Sequence, residues 1–157
     1  MKAATVTEIK KELQLKSPKE LIDLCLKLAK FKKESKEFLT YLLYEAADED
    51  NYIKSIKQEI DLGFEQINRR NYYFIKKSIR KILRETKKYI RYSKKKETEV
   101  ELLLYFCRKL KTMSPSYTGS RVLKNLYFRQ IEMIKKSVLK LHEDLQYDYE
   151  VELEDLQ

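Results

Sequence analysis

The sequence predicts an all-α fold, and three observations carry that prediction. Only 2 of its 157 residues are Gly and 2 are Pro, too few for the turns a β-rich chain consumes. Leu, Ile, Lys and Glu dominate, a composition that favours long helices joined by short polar links. Apolar residues recur at helical spacing in seven successive segments. The chain is 43% hydrophobic, which excludes a disordered polymer, and its length suits one domain with a core.

The first predicted helix, about Thr5 to Leu15, carries Val6, Ile9 and Leu13. Ser17-Pro18-Lys19-Glu20 starts the second, combining a capping box with Pro at the first helical position. That helix runs to about Lys32, and Leu21, Ile22, Leu24, Cys25, Leu26, Leu28 and Ala29 wrap most of its surface, so it is expected to be central. The third, from a Ser35 cap to Ala47, is similarly rich in Phe38, Leu39, Tyr41, Leu42, Leu43 and Tyr44.

The acidic break Asp48-Glu49-Asp50 favours a new helix start. The fourth helix has a narrow stripe of Ile53, Ile56, Ile60, Phe64 and Ile67, with Gly63 read as a close helix–helix contact. The fifth, about Tyr72 to Tyr92, has Ile75, Ile79, Ile82, Leu83, Thr86, Tyr89 and Ile90 on one face. The sixth, about Glu97 to Lys111, is broadly apolar, and Thr112 to Ser120 is a loop containing Pro115 and Gly119. The seventh begins near a Ser120 cap and extends through Leu123, Tyr127, Ile131, Ile134, Val138, Leu141 and Leu145.

Short links make sequential helices antiparallel neighbours. The broadly apolar second, third and sixth helices suggest an inner layer. This suits a compact multi-helix bundle or a short α-solenoid of the HEAT type, although no repeat of solenoid period is evident. The expected organisation is one helical domain, 1–146, and an acidic C-terminal tail, 147–157. No segment matches a membrane span or a signal-peptide core, so membrane insertion is not expected. Cys25 and Cys107 both lie on apolar stripes, pointing to a cytoplasmic protein with two buried thiols.

Charge is unevenly spread. Residues 51–100 hold 15 basic against 6 acidic side chains, the whole of the +9 net charge, whereas both flanking regions are balanced. Between 69 and 96 the count is 13 basic residues against Glu85 alone. With about 100° between successive residues, Lys76, Lys77, Arg80, Lys81, Arg84, Lys87, Lys88 and Arg91 fall in one arc opposite Ile75. Arg69 and Arg70 extend this ridge at one end, and Lys94, Lys95 and Lys96 at the other. Like charges at i,i+4 repel by a few tenths of a kcal/mol per pair, so a neutralising partner or solvent is needed.

A DNA or RNA backbone is one such partner, with Tyr72, Tyr73, Tyr89 and Tyr92 available to stack on bases. The segment His142–Gln157, with seven acids and no Lys or Arg, is a second. An acidic protein, or a second copy contributing that segment, is a third. A solvated lysine-rich face needs no partner at all.

No pattern points to catalysis, a metal or a cofactor. His142, Glu143 and Asp144 are adjacent and diverge on a helix, and both thiols sit where a thiolate is disfavoured. Carboxylates such as Glu99 and Glu101, or Asp48 and Asp50, are accounted for by helix starts. The expected function is a non-enzymatic interaction module using the fifth helix.

Two resemblances arise near the start. Thr5-Val6-Thr7-Glu8-Ile9-Lys10-Lys11-Glu12-Leu13 followed by Lys19-Glu20-Leu21-Ile22-Asp23-Leu24 resembles the SAP helix-turn-helix of nucleic-acid-binding proteins, without the usual glycine in its Gln14–Ser17 turn. Continued through Leu28 to Phe38-Leu39, the stretch is similar to the opening of a family of uncharacterised bacterial helical proteins. That family resemblance implies no activity, and neither resemblance transfers a functional residue.

Overall fold

The computed structural model describes residues Met1–Gln157 and is all helical, with eight α-helices and no strand. The chain divides into two compact units, Met1–Tyr44 and Glu45–Gln157. No helix is long and apolar enough to cross a membrane.

The first unit holds α1 (Val6–Gln14), α2 (Pro18–Phe31) and α3 (Lys33–Thr40), followed by a π-helical turn over Tyr41–Glu45. Both of its leading helices begin with full capping boxes. Ser17 N–H donates to Glu20 Oε2 at 2.7 Å while Glu20 N–H donates back to Ser17 Oγ at 3.3 Å. Thr5 and Glu8 repeat the arrangement at α1, where the sequence reading had placed only an apolar stripe. In both boxes the backbone hydrogen bond to the glutamate lowers its pKa.

The π turn inserts a wide turn before Glu45, so the third helix is shorter than its apolar content suggests. It also starts at Lys33, after an extended Lys32, rather than at a Ser35 cap. The larger correction concerns burial. Nothing in α1, α2 or α3 is fully buried, and Tyr41 is the one buried side chain before residue 45. The expected central role of α2 and α3 is therefore not seen, and Cys25 is exposed rather than buried.

The second unit is a helical bundle built around α6 (Lys96–Thr112). Around it stand α4 (Glu49–Glu65), α5 (Tyr72–Ser93), α7 (Arg121–Val138) and α8 (Glu143–Glu154). Val100, Leu102, Leu103, Phe106, Cys107 and Leu110 are wholly inaccessible, as expected of a helix with a broad apolar arc. Their neighbours each supply one face: Ile56, Ile60 and Phe64 from α4, Ile75 and Ile79 from α5, Leu123, Tyr127 and Ile134 from α7. Gly63 is the contact point read from sequence. A Cβ there would stand 2.8 Å from Ile82 Cγ1, so α4 and α5 approach closely only because the side chain is missing.

Three polar residues end the linkers as caps: Asp48 accepts from Asn51 N–H, Asn71 from Phe74 N–H and Ser120 from Leu123 N–H. Tyr72 donates to the Ser116 carbonyl at 2.9 Å, tying the start of α5 to the loop before α7.

The C-terminal segment is not a tail. The seventh helix stops at Val138, and His142 caps α8, its Nδ1 accepting from Asp144 N–H. Tyr149, Leu153 and Leu156 are buried, and the Tyr127 hydroxyl donates to the Leu156 carbonyl at 2.5 Å. Arg108 of α6 pairs with Glu152, and Tyr149 donates to Glu101 at 3.1 Å. Burial, together with the Glu101 and Glu97 carboxylates, pushes the Tyr149 hydroxyl well above its ordinary pKa.

Across α4 and α6, Asp61 accepts from the Tyr105 hydroxyl at 2.7 Å and from Lys109 Nζ at 2.9 Å. Burial works against the Asp61 carboxylate, but those two donors outweigh it and hold its pKa below the usual value. Burial and the same carboxylate lift Tyr105 to about 12.

Two measurements test this account. Leu153→Ala should destabilise the protein by about 2–5 kcal/mol, the cost of emptying a core leucine site, read as an earlier urea midpoint; a free tail would leave the midpoint unchanged. Because the folded-state pKa of Asp61 is depressed, its contribution is present at neutral pH and lost as pH falls through that lowered value. Asp61→Asn should therefore lower stability at pH 7 and flatten its decline in acid, measured by denaturant melts from pH 7 to pH 2.

Candidate nucleic-acid interface

The basic ridge is set by the way α5 is anchored. Ile75, Ile79, Ile82, Leu83 and Thr86 are buried, and Thr86 Oγ1 donates back to the Ile82 carbonyl at 2.9 Å. With that face fixed inward, the opposite arc must point to solvent. Lys77, Arg80, Lys81, Arg84 and Arg91 are exposed, and Lys76 is half-buried.

The ridge is not continuous, however. Lys88, expected on its surface, is buried at 7% exposure, with Nζ 2.6 Å from Glu85 Oε2 and 4.7 Å from the centre of the Tyr89 ring. Counted from Ile75 it lies at about 220°, well inside the basic arc, so its burial is set by tertiary packing rather than by its place on the helix, and its long apolar stem can lie along the protein surface. Lys87 is half-buried with Nζ 3.5 Å from Met133 Sδ, and burial lowers its pKa despite the opposing pull of Glu99.

The extensions are also largely committed. Lys94 closes α5 in the left-handed conformation, φ 59°, donating its N–H to the Ile90 carbonyl. Lys95 pairs with Glu49 at 3.1 Å and Lys96 with Glu99 at 2.6 Å. Arg69 reaches the Phe64 carbonyl at the end of α4 at 3.4 Å, while Arg70 is exposed. Tyr92 is half-buried edge-on to Tyr89, and the Tyr72 hydroxyl is used internally.

What remains is a shorter, coherent surface. Tyr73, Lys76, Lys77, Ser78, Arg80, Lys81 and Arg84 line one shallow groove of about 520 Å³. Tyr73 is 66% exposed, and its ring is held edge-to-face on Phe74 at 5.3 Å, so it stands out at the end of the cationic row. From Tyr73 to Arg84 the helix rises about 16 Å. Lys77, Arg80, Lys81 and Arg84 form no ion pair, whereas Lys88, Lys95 and Lys96 each do. The acids of α8 do not supply one: Glu152 pairs with Arg108 of α6 and Asp144 lies beside His142.

A second groove, about 320 Å³ between α4 and α5, is lined by Glu59, Gly63, Gln66, Ser78, Ile82 and Glu85. Cys107 is sealed in α6, and burial lifts its thiol to about 12, so a thiolate nucleophile is strongly disfavoured. No group of three or more His, Cys, Asp or Glu side chains converges as a metal site would require.

Comparison with known proteins gives no match, whether to protein-family models, to curated proteins or to solved structures.

The partition of the ridge is open to a direct check. Lys88→Glu should cost about 3 kcal/mol or more, since it puts a carboxylate in a buried site beside Glu85. Arg84→Glu, on the solvent side, should change stability by only about 0.5 kcal/mol. Equal thermal-melt shifts for the two variants would show that both side chains occupy the same environment.

Proposed function

We propose that this protein is a non-enzymatic helical module that binds nucleic acid through the exposed face of α5. The observation that carries the reading is the groove in which Lys77, Arg80, Lys81 and Arg84 stand unpaired beside a projecting Tyr73. Cations spaced along one helix match a phosphate array, which carries one charge per ~3.4 Å of each strand. A tyrosine at the end of the row offers a ring on which an unpaired base stacks regardless of sequence. A cytoplasmic setting belongs to the same reading.

The interaction would be dominated by counterion release. With about four phosphates neutralised, log K should fall with log[salt] at a slope of roughly −3 to −4. Fluorescence anisotropy of labelled single-stranded and duplex 20-mers between 50 and 300 mM salt is the direct measurement. Lys77→Glu/Arg80→Glu/Arg84→Glu should weaken binding at least 100-fold and flatten the slope by about 2 to 3, with an unchanged melting temperature. Tyr73→Ala should weaken single-stranded binding selectively. No salt-dependent binding to either probe at 50 mM, or binding untouched by the triple substitution, would sink the reading. Lys88 is left out of the triple because its replacement would perturb the fold.

A further inference from the structure

The unit Met1–Tyr44 has a surface unlike the rest of the chain. It contains 13 of the 21 exposed large apolar side chains in fewer than a third of the residues. The cause is visible in α2. Counting about 100° per residue, its apolar side chains span an arc of about 220°, from Phe31 through Leu21 to Leu26. A helix with one neighbour buries a stripe roughly half that wide. Its neighbour α3 takes the middle of the arc, where Cys25, Leu28, Ala29, Phe38, Leu39 and Leu42 line a groove of about 240 Å³ with Ser35 as its one polar member. Both flanks are left open, with Phe31 77%, Leu28 65% and Ile22 60% exposed.

From this we infer that α2 and α3 are half of a bundle, completed by the same hairpin of a second copy of the chain. The proposal stands independently of what α5 binds. Three features favour a copy of itself over another occupant. A folded unit near 40 residues usually requires a disulfide, a metal or oligomerisation. Cys25 is unpaired and no metal cluster exists, which leaves the third.

The available area is also of the right size. Ile22 faces away from Phe31 on α2. At about 30 Å² per methylene, Leu28, Phe31, Leu42, Leu43 and Tyr44 expose about 540 Å² of apolar surface, about two-thirds of the ~800 Å² that one side of a standard interface buries. Finally, the polar arc of α2 mixes Lys19, Lys27 and Lys30 with Glu20 and Asp23, so an identical hairpin meets both signs of charge at the rim. The all-cationic face of α5 would instead repel its own copy. Two antiparallel-packed hairpins related by a two-fold axis give a four-helix bundle, the commonest outcome for a self-complementary patch of this kind.

The test is the mass of the full chain in solution, by light scattering coupled to size exclusion from 5 to 100 µM. The expected value is twice the 19.0 kDa of one chain. Leu28→Glu/Leu42→Glu, both on the groove, should restore the single-chain mass while the main melting transition of the Glu45–Gln157 bundle is retained. Lys27→Glu/Lys30→Glu, on the polar arc, should leave the dimer intact. Mixing two differently tagged copies adds a readout that does not depend on how well the variant hairpin folds: the wild-type tags should co-purify. A single-chain mass up to 100 µM would overturn the proposal, as would a dimer unmoved by the groove substitutions or lost equally in the polar-arc pair. Nucleic-acid affinity plays no part in any of these readings, so failure here and failure of the α5 interface are separable.

Discussion

The broad burial of α6 is the constraint from which the rest of the Glu45–Gln157 unit follows. With Leu102, Leu103 and Leu104 in succession its apolar arc is too wide for one neighbour. A narrow edge of Glu97, Arg108 and Lys111 is left to solvent, and several helices must each give up a face to cover the rest. Four helices do this, and the requirement reaches further than the core. It dictates which side of α5 is inward, and so which of its charges are left outside. It recruits α8, whose composition is otherwise unsuited to folding, because Tyr149, Leu153 and Leu156 complete the enclosure. The Gly63–Ile82 contact serves the same end by letting α4 and α5 approach closely beside α6.

Charge is then distributed by proximity to that core. Bases that fall near an acid are paired: Lys57 with Glu101, Lys109 with Asp61, Arg108 with Glu152, Lys95 with Glu49. Such exposed or half-exposed pairs contribute little each, ~0–1 kcal/mol. They commit these acids and bases to one another and leave Lys77, Arg80, Lys81 and Arg84 of α5 without an ion pair. Glu85, the one acid of that helix, is held by Lys88 and keeps 42% of its side chain exposed. The cationic groove is thus partly a residue of how the remaining charges were satisfied.

Much of this architecture could be read from the residues, and the failures have identifiable causes. The all-α class, the limits of α5 and the enclosure of α6 follow from periodicity, which reports faces reliably when a helix is long. The Ser17-Pro18-Lys19-Glu20 start and the role of Gly63 follow from local chemistry. Periodicity is blind, however, to whether an apolar face has a partner, so α2 read as central when its flanks are open. Composition misled at the C-terminus: seven acids concealed the spacing of Leu145, Tyr149 and Leu153, and the capping role of His142 at the start of α8 went unread. The extent of the ridge was overestimated because an angular map treats every lysine as a point at the helix surface. Pairings such as Lys96 with Glu99 depend on rotamers, and Lys95 with Glu49 depends on tertiary approach.

The unpaired row on α5 also has a kinetic meaning. Its charges ride on a helix whose other face is locked into a core, so their backbone spacing is fixed before any ligand arrives and only side-chain rotamers remain to be ordered on contact. At physiological ionic strength the field of each charge decays over about 8 Å, close to the ~10 Å rise from Lys77 to Arg84. In the proposed binding reaction a polyanion would be felt only within about a Debye length of the row, where such a surface would raise the rate of association more than the tightness of grip.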